Sequence, residues 1–192
     1  TRFKHIHEME GRPATGRSQK SSDSFEFTSW WADGRNHVIA DLTGFARTFL
    51  ARHTLLNILT RYCVFTAEHD LLVMRPYQIA ATERILNRIL ISEYDPKKLG
   101  TPEAGGYVWH TTGSGKTLTS FKTAQLASNM DGVDRVLFVV DRKDLDYQTI
   151  KEYERFKKGA VNSNKSTKVL AEQLANLDAK IIVTTIQKLS SF

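Results

Sequence analysis

Residues 105 to 117 read Gly-Gly-Tyr-Val-Trp-His-Thr-Thr-Gly-Ser-Gly-Lys-Thr. The apolar segment 107–109 predicts a short strand, and the small residues that follow it predict a tight turn. Leu118 and Phe121 then begin an apolar pattern with helical spacing, which predicts a helix that starts near Gly115. Strand, glycine-rich turn and helix in this order are the context of a phosphate-binding loop.

Each residue of the turn has a property that suits phosphate binding. Gly113 and Gly115 leave the backbone free to bring several N–H donors close to one anion. The start of the following helix favours negative charge, and Lys116 is placed to reach the outer phosphates of a nucleotide. The Thr117 hydroxyl is a candidate ligand of Mg²⁺. The pattern G-x-x-x-x-G-K-[ST] has glycine where this chain has His110, so an ordinary glycine-rich turn is the alternative.

Composition and charge describe a chain that can form a globular core. Of its 192 residues, 41% are hydrophobic and 25% are charged, a balance typical of globular domains. The net charge of +6 is compatible with nucleic-acid binding, although many basic proteins bind none. There is no run of 18 apolar residues and no secretory leader. The single Cys63 excludes an internal disulfide, so the sequence indicates a cytoplasmic protein.

The first 70 residues predict a polar tail and a mainly helical connector. Residues 1–24 show no sustained apolar period. Asp41 and Thr54 are candidate N-caps of two helices, and the second helix is expected to continue through Cys63. The aromatic cluster ahead of these helices has two interpretations, stacking on bases or packing against the helices, and packing is favoured. This cluster comprises Phe25, Phe27, Trp30 and Trp31.

The segment 71–192 predicts an alternation of helices and buried strands. A long helix is predicted over residues 76–91, with Pro76 in its first turn. Val136–Val140 and Ile181–Thr185 are β-branched apolar runs with the length of fully buried parallel strands. The alternation indicates an α/β fold, in which a parallel sheet is flanked by helices.

Polar side chains gather at the ends of these predicted elements. The amide of Gln78, in the first turn of the helix that starts at Pro76, has the donor and acceptor that an adenine edge requires. Residues at the carboxyl ends of parallel strands line a ligand crevice, so those beyond the two strands are candidates for contact with a polyanion. A charged surface turn and helix capping are the alternatives. The candidates are Arg142, Lys143, Gln148, Thr184 and Thr185.

Four segments together closely resemble the motor subunit of type I restriction-modification enzymes, which belongs to the superfamily 2 helicase-like translocases. Their order and spacing are more specific than any one motif, and His110 is a departure that favours this family. The resemblance covers residues 71–192 well and residues 1–70 with softer motifs, so the chain is expected to be a piece of a longer protein. The segments are Arg75-Pro-Tyr-Gln78, His110-Thr-Thr-Gly-Ser-Gly-Lys-Thr117, Val139-Val-Asp-Arg-Lys-Asp-Leu-Asp-Tyr-Gln148 and Thr184-Thr-Ile-Gln-Lys188.

The resemblance implies ATP, Mg²⁺ and DNA as ligands. It implies that Gln78 recognises adenine and that the segments near Arg142 and Thr184 track a DNA strand. The implied partners are double-stranded DNA and the modification and specificity subunits of a restriction complex. The residues implied in holding the phosphates and Mg²⁺ are Thr112, Gly113, Ser114, Gly115, Lys116 and Thr117.

Parts of the family's machinery are not identifiable in these residues. Such motors also use a strand-end Asp-Glu pair, which completes Mg²⁺ binding and orients water, and arginines from a second RecA-like domain. The family's nuclease cluster of carboxylates and lysine is not identifiable either. We therefore expect a connector between nuclease and motor domains at 1–70, and the first part of a RecA-like P-loop domain at 71–192. The chain alone is expected to lack hydrolysis and cleavage.

Three other functions remain open at this point. Another superfamily 2 helicase-like ATPase would share the same motifs. A P-loop kinase would share only the loop and would need a site for a phosphate acceptor. A scaffold would dock partner subunits through the helices of residues 41–65, and it would leave Trp30 and Trp31 exposed without internal contacts.

Overall fold

The computed structural model describes residues 2–4, 28–141, 143–159, 161–163, 166–176 and 178–191. Most of the predicted tail, together with Phe25, Phe27 and Arg142, lies outside these residues. The chain divides into two compact units, one formed by Thr1–Phe65 with His69–Ala80 and the other by Thr66–Glu68 with Ala81–Phe192. Among the described helices, none combines the length and apolar character that crossing a membrane requires.

The first unit contains two short antiparallel strand pairs, β1 with β2 and β3 with β4. Its strands are β1 (Arg2–Lys4), β2 (Thr28–Trp30), β3 (Cys63–Phe65) and β4 (Leu71–Val73). The helices between β2 and β3 are α1 (Leu42–Phe49) and α2 (Arg52–Thr60). Strand β1 falls within the predicted tail, so that prediction is wrong for these three residues.

The two short helices follow the predicted pattern only in part. Asp41 caps α1 as predicted, because its side chain accepts a hydrogen bond from the Gly44 N–H. Helix α2 begins after Ala51, so the prediction of Thr54 as its N-cap is wrong. Cys63 is buried but lies in β3 rather than in a helix. Pairing of β3 with β4 overrides the helical spacing there, since strand propensity depends on cross-strand neighbours.

Trp31 supports the packing interpretation of the aromatic cluster. Its ring meets Phe49 edge to face at a centroid distance of 5.1 Å, and its indole N–H donates to the Thr48 hydroxyl at 2.9 Å. Trp30 is 44% exposed. The internal contacts of Trp31 do not support a scaffold that presents both tryptophans.

The second unit is built on a parallel sheet of three described strands in the order β5-β7-β6. These strands are β5 (Val136–Val140), β6 (Asn162–Ser163) and β7 (Ile181–Thr185). The helices that follow the first unit's β4 are α3 (Pro76–Tyr94), α4 (Lys116–Ala127), α5 (Lys143–Phe156), α6 (Thr167–Ala175) and α7 (Ile186–Leu189). The predicted mixture of helices with a parallel sheet is confirmed, and α3 begins at Pro76 as predicted.

The central strand β7 is buried along its whole length, whereas β5 is half buried. On β5, Phe138 packs 5.6 Å from the ring of Tyr153 on α5, while Leu137 and Val139 are exposed. The prediction of a fully buried strand is therefore right for β7 and wrong for β5. The two strands differ in burial because β5 lies at the edge of the described sheet, and its alternate side chains point to opposite faces.

The strand predicted ahead of the glycine turn is not formed. Residues 105–110 have no regular secondary structure, and Tyr107 and Trp109 are 91% and 88% exposed. An apolar segment becomes a strand only where a neighbour accepts its backbone hydrogen bonds. No described strand pairs with this segment.

Candidate phosphate-binding site

The predicted glycine turn leads directly into α4. Gly115 is the N-cap of this helix, with φ of 77° and ψ of 38°, and Gly113 also has φ of 77°. L-residues are strained in this left-handed region, whereas glycine is not. A Cβ built at Gly113 would meet no atom within 4 Å. Backbone conformation rather than space therefore requires glycine at position 113.

Helix α4 forms because its apolar face is covered. Phe121 is fully buried, and its ring lies 5.1 Å from the rings of both Tyr153 and Phe156 on α5. Aromatic pairs at this separation stabilise a helix interface beyond the area that they bury. The packing fixes the helix whose first turn carries Lys116 and Thr117.

The turn ahead of α4 closes on the carbonyl oxygen of Thr111. This oxygen accepts hydrogen bonds from the Ser114 N–H at 3.3 Å, the Ser114 hydroxyl at 2.7 Å and the Lys116 ammonium at 3.3 Å. The ammonium also donates to the His110 carbonyl at 3.4 Å. Both lysine contacts are long for a charged donor, so a stronger acceptor such as a phosphate oxygen can compete for the ammonium.

The first turn of α4 presents N–H groups that have no acceptor within the helix. The first intrahelical bond runs from the Thr119 N–H to the Gly115 carbonyl at 3.0 Å. The N–H groups of Lys116, Thr117 and Leu118 precede it. These donors and the helix dipole create a positive end, which favours an anion.

His110 stands where the general loop pattern has glycine. Burial lowers the pKa of His110 below its ordinary value of 6.5, and the positive charge of Lys116 lowers it further. The imidazole is therefore neutral at neutral pH. The full positive charge carried by the turn is therefore that of Lys116.

Gln78 lies in the first unit, in the first turn of α3 as predicted. It is 3% exposed, and its Oε1 atom accepts a hydrogen bond from the Arg75 N–H at 2.7 Å. A glutamine that reaches back three residues in this way satisfies a backbone donor at the helix start. This capping role was not predicted from the sequence. An amide oxygen has two lone pairs, so capping leaves it able to accept a second hydrogen bond.

The two strand ends predicted to meet a polyanion are brought together. Val140 is in register with Thr185, and the Gln187 side-chain amide donates to the Asp141 carbonyl at 2.9 Å. Helix α5 begins at Lys143, and Gln148 on this helix is exposed.

Thr184 and Thr185 are fully buried at the end of β7. The Thr185 hydroxyl accepts a hydrogen bond from the Lys188 N–H at 3.3 Å and caps α7. Helix capping, one of the two interpretations of this segment, is therefore present. The contact with DNA remains a prediction for both threonines.

A family model described as SWI2/SNF2 ATPase matches residues 77–191. This range includes the glycine turn, α4 and the two adjoining strand ends. The match covers more than half of the 192 residues.

Several relatives are named as type I restriction enzyme endonuclease subunits. A Mycoplasma pneumoniae protein, named as the C-terminal part of the MpnIIP subunit, is 52% identical over 161 residues, which cover 83% of this chain and 78% of the relative. The SsaAORF53P subunit of Staphylococcus saprophyticus is 41% identical over 162 residues, which cover 84% of this chain and 16% of the relative. The EcoprrI subunit of Escherichia coli is 46% identical over 93 residues, which cover 48% of this chain and 30% of the relative.

The matches agree with the family indicated by the four sequence motifs, and that prediction is confirmed. The chain belongs to the family of type I restriction enzyme endonuclease subunits, and its residues 77–191 place it among the SWI2/SNF2 ATPases.

Proposed function

We propose that this chain is the nucleotide-binding part of an ATP-dependent DNA translocase within the restriction endonuclease subunit of a type I restriction system. The observation that carries the proposal is the turn before α4, in which Gly113 and Gly115 adopt left-handed φ angles and Lys116 begins the helix. The ATPase family match and the names of the relatives support it. The Staphylococcus saprophyticus relative is much longer, since the chain spans 16% of it.

ATP and Mg²⁺ are the ligands that fit the donors of this turn. N–H groups and a single ammonium suit a phosphate chain, and the open space at Gly113 leaves room for one. Lys116 neutralises charge on the outer phosphates, and the Thr117 hydroxyl ligates Mg²⁺. Bound Mg²⁺ supplies further neutralisation of phosphate charge. The residues that hold the phosphates are 112–117.

Two further sites complete the proposal. Gln78 recognises adenine, as the family resemblance implies, and its bond to Arg75 supports a fixed orientation of the amide.

DNA is tracked by residues at and beyond the ends of β5 and β7. Exposed Gln148 suits a direct contact, together with Arg142 and Lys143. The burial of the two threonines that end β7 favours an indirect role, in which they shape the strand end.

For the parent protein we propose a cytoplasmic restriction complex with modification and specificity subunits, acting on double-stranded DNA. Residues 71–192 form the first part of a RecA-like domain in this proposal, and residues 1–70 connect it to a nuclease domain. The chain alone binds nucleotide but neither hydrolyses ATP nor cleaves DNA, because the remaining motifs are not identifiable in its sequence. No described feature favours a P-loop kinase.

Isothermal titration calorimetry of the chain with ATP and Mg²⁺ tests the proposal. Wild type and Lys116→Ala are compared, with Lys168→Ala as a matched control because Lys168 is an exposed lysine on α6 and not a residue of the turn. Heat of binding is expected for wild type and the control and is expected to be lost in Lys116→Ala. Equal heats for wild type and Lys116→Ala would contradict nucleotide binding at this turn.

A further inference from the structure

Three buried threonines connect α3 to the start of α4. The hydroxyls of Thr82 on α3 and Thr123 on α4 are 3.0 Å apart. The Thr123 hydroxyl lies 2.7 Å from the Thr119 carbonyl, and the Thr119 hydroxyl lies 3.0 Å from the Gly115 carbonyl. All three threonine side chains are buried. The series begins on a neighbouring helix and ends on the N-cap of the phosphate-binding turn.

The direction of these bonds follows from the number of protons. A carbonyl oxygen only accepts, so the Thr123 hydroxyl gives its single proton to the Thr119 carbonyl. The Thr82 hydroxyl must then be the donor in its contact with Thr123. Each hydroxyl in the series therefore donates toward the N-terminal end of α4.

A second series reaches the same turn from α5. The Tyr153 hydroxyl donates to the Ser120 hydroxyl at 2.9 Å, and the Ser120 hydroxyl donates to the Thr117 carbonyl at 3.0 Å. Tyr153 is fully buried, and burial raises the pKa of its hydroxyl well above the ordinary value. The phenol therefore keeps its proton throughout the physiological pH range and remains a donor.

The two series end on the Gly115 and Thr117 carbonyls. Each of these carbonyls belongs to a peptide group whose N–H is a candidate donor to phosphate. A peptide group is planar, so its carbonyl and the next residue's N–H point in fixed opposite directions. Holding the Gly115 carbonyl orients the Lys116 N–H, and holding the Thr117 carbonyl orients the Leu118 N–H. The Gly115 carbonyl has two donors, the N–H and the hydroxyl of Thr119.

Hydroxyl bonds to a carbonyl three or four residues earlier are ordinary in helices, so Thr119 and Ser120 alone would mean little. The additional observation is that buried hydroxyls from two other helices contact this part of α4, Thr82 through Thr123 and Tyr153 through Ser120. Buried polar groups cost free energy unless they are fully satisfied. Hydroxyls that satisfy one another in this way therefore hold a specific arrangement.

We propose that Thr119 and Ser120 are positioning residues for the nucleotide site, held in place by Thr82 through Thr123 and by Tyr153. Their hydroxyls orient the N–H groups of the first turn of α4 toward phosphate. This inference rests on the proposed function, since it assigns these residues to the same site.

Two measurements on the purified chain test the positioning role. The first is the affinity for ATP with Mg²⁺ by calorimetry in wild type, Thr119→Val and Thr119→Ser. Valine keeps the shape but removes the hydroxyl, so affinity is expected to fall roughly three- to tenfold, the effect of one lost hydrogen bond. Serine is expected to restore it. The matched control is Thr60→Val, because the Thr60 hydroxyl makes the same bond to the Leu56 carbonyl in α2.

The second measurement is amide hydrogen exchange of the nucleotide-free chain by NMR. Faster exchange or a shifted signal is expected for Lys116 in Thr119→Val and in Thr82→Val, and not in Thr60→Val. This readout needs no ligand. If wild type binds no ATP, the proposed nucleotide function fails, while the amide signals still decide whether the hydroxyls orient the turn.

Unchanged affinity and unchanged amide signals in Thr119→Val would overturn the inference while leaving nucleotide binding intact. If Thr119→Val does not fold, Tyr153→Phe takes its place, because it keeps the buried ring and removes only the distal donor. Tyr153→Phe is expected to alter the Leu118 signal, and an unaltered signal would overturn the inference as well.

Discussion

The Lys116 ammonium donates a hydrogen bond to the Thr111 carbonyl oxygen at 3.3 Å, and this contact joins the two ends of the glycine turn. A full positive charge is thus partnered by backbone dipoles, which are weaker partners than a phosphate would be. If the turn binds nucleotide as proposed, a charge already held there would lower the ordering cost of binding.

Gly113→Ala tests whether the left-handed backbone of the turn is needed. Alanine at a φ of 77° is expected to cost about 1 kcal/mol or more of stability, or to shift the turn and weaken ATP binding. Urea unfolding and calorimetry measure the two outcomes.

The matched control for this change is Gly106→Ala. A Cβ at Gly106 would also meet no atom within 4 Å, but Gly106 is not among the glycines with positive φ. Alanine there is expected to leave stability equal or slightly higher, since it restricts the unfolded chain. Equal behaviour of the two variants would count against a conformational requirement at Gly113.

The lowered pKa of His110 predicts a pH dependence of stability. As the pH falls, the unfolded chain binds the proton first, because its histidine has the higher pKa. Stability is therefore lost from about pH 6.5 downward, until the pH passes below the pKa of the folded state. His110→Gln is expected to lose less stability than wild type between about pH 7.5 and pH 5. Thermal unfolding at several pH values measures this difference, and identical profiles would show that His110 does not contribute.

Tyr153→Phe is expected to lower the free energy of unfolding by about 1 kcal/mol, because the half-buried Ser120 hydroxyl loses its donor while the ring packing is kept. Urea unfolding measures the change. Tyr147→Phe on the same helix is the control, since Tyr147 is 70% exposed and its hydroxyl can bond to water. An equal change in both variants would mean that the hydrogen bond between Tyr153 and Ser120 is not the cause.

The sequence predicted those features of the site that depend on local chemistry. Gly113, Gly115 and the helix start at Lys116 were predictable because backbone freedom and helix capping are properties of neighbouring residues. The Asp41 cap and the helix start at Pro76 belong to the same class.

Features that depend on distant partners were not predictable. The segment 107–109 has the composition of a strand, but pairing requires a neighbour that no local pattern specifies. The hydroxyl series from Thr82 and from Tyr153 joins residues 41 and 33 positions apart. Nothing in the spacing of these residues marks them as partners, since each is an ordinary helical position in the sequence. Contact between helices, rather than residue type, gives them a shared role.

Arg142→Gln with Lys143→Gln tests the predicted DNA contact. If each residue neutralises one phosphate, the double variant weakens binding to duplex DNA, and the slope of log affinity against log salt falls by roughly 2. Fluorescence anisotropy with a labelled duplex at several salt concentrations measures the slope. The double variant Lys168→Gln with Lys180→Gln removes the same charge from exposed positions of the second unit. Comparing the two double variants separates a local contact from the general effect of net charge. Only a local contact makes the variant at positions 142 and 143 bind DNA more weakly than the variant at positions 168 and 180. Equal slopes for the two would mean that the end of β5 does not touch the DNA backbone.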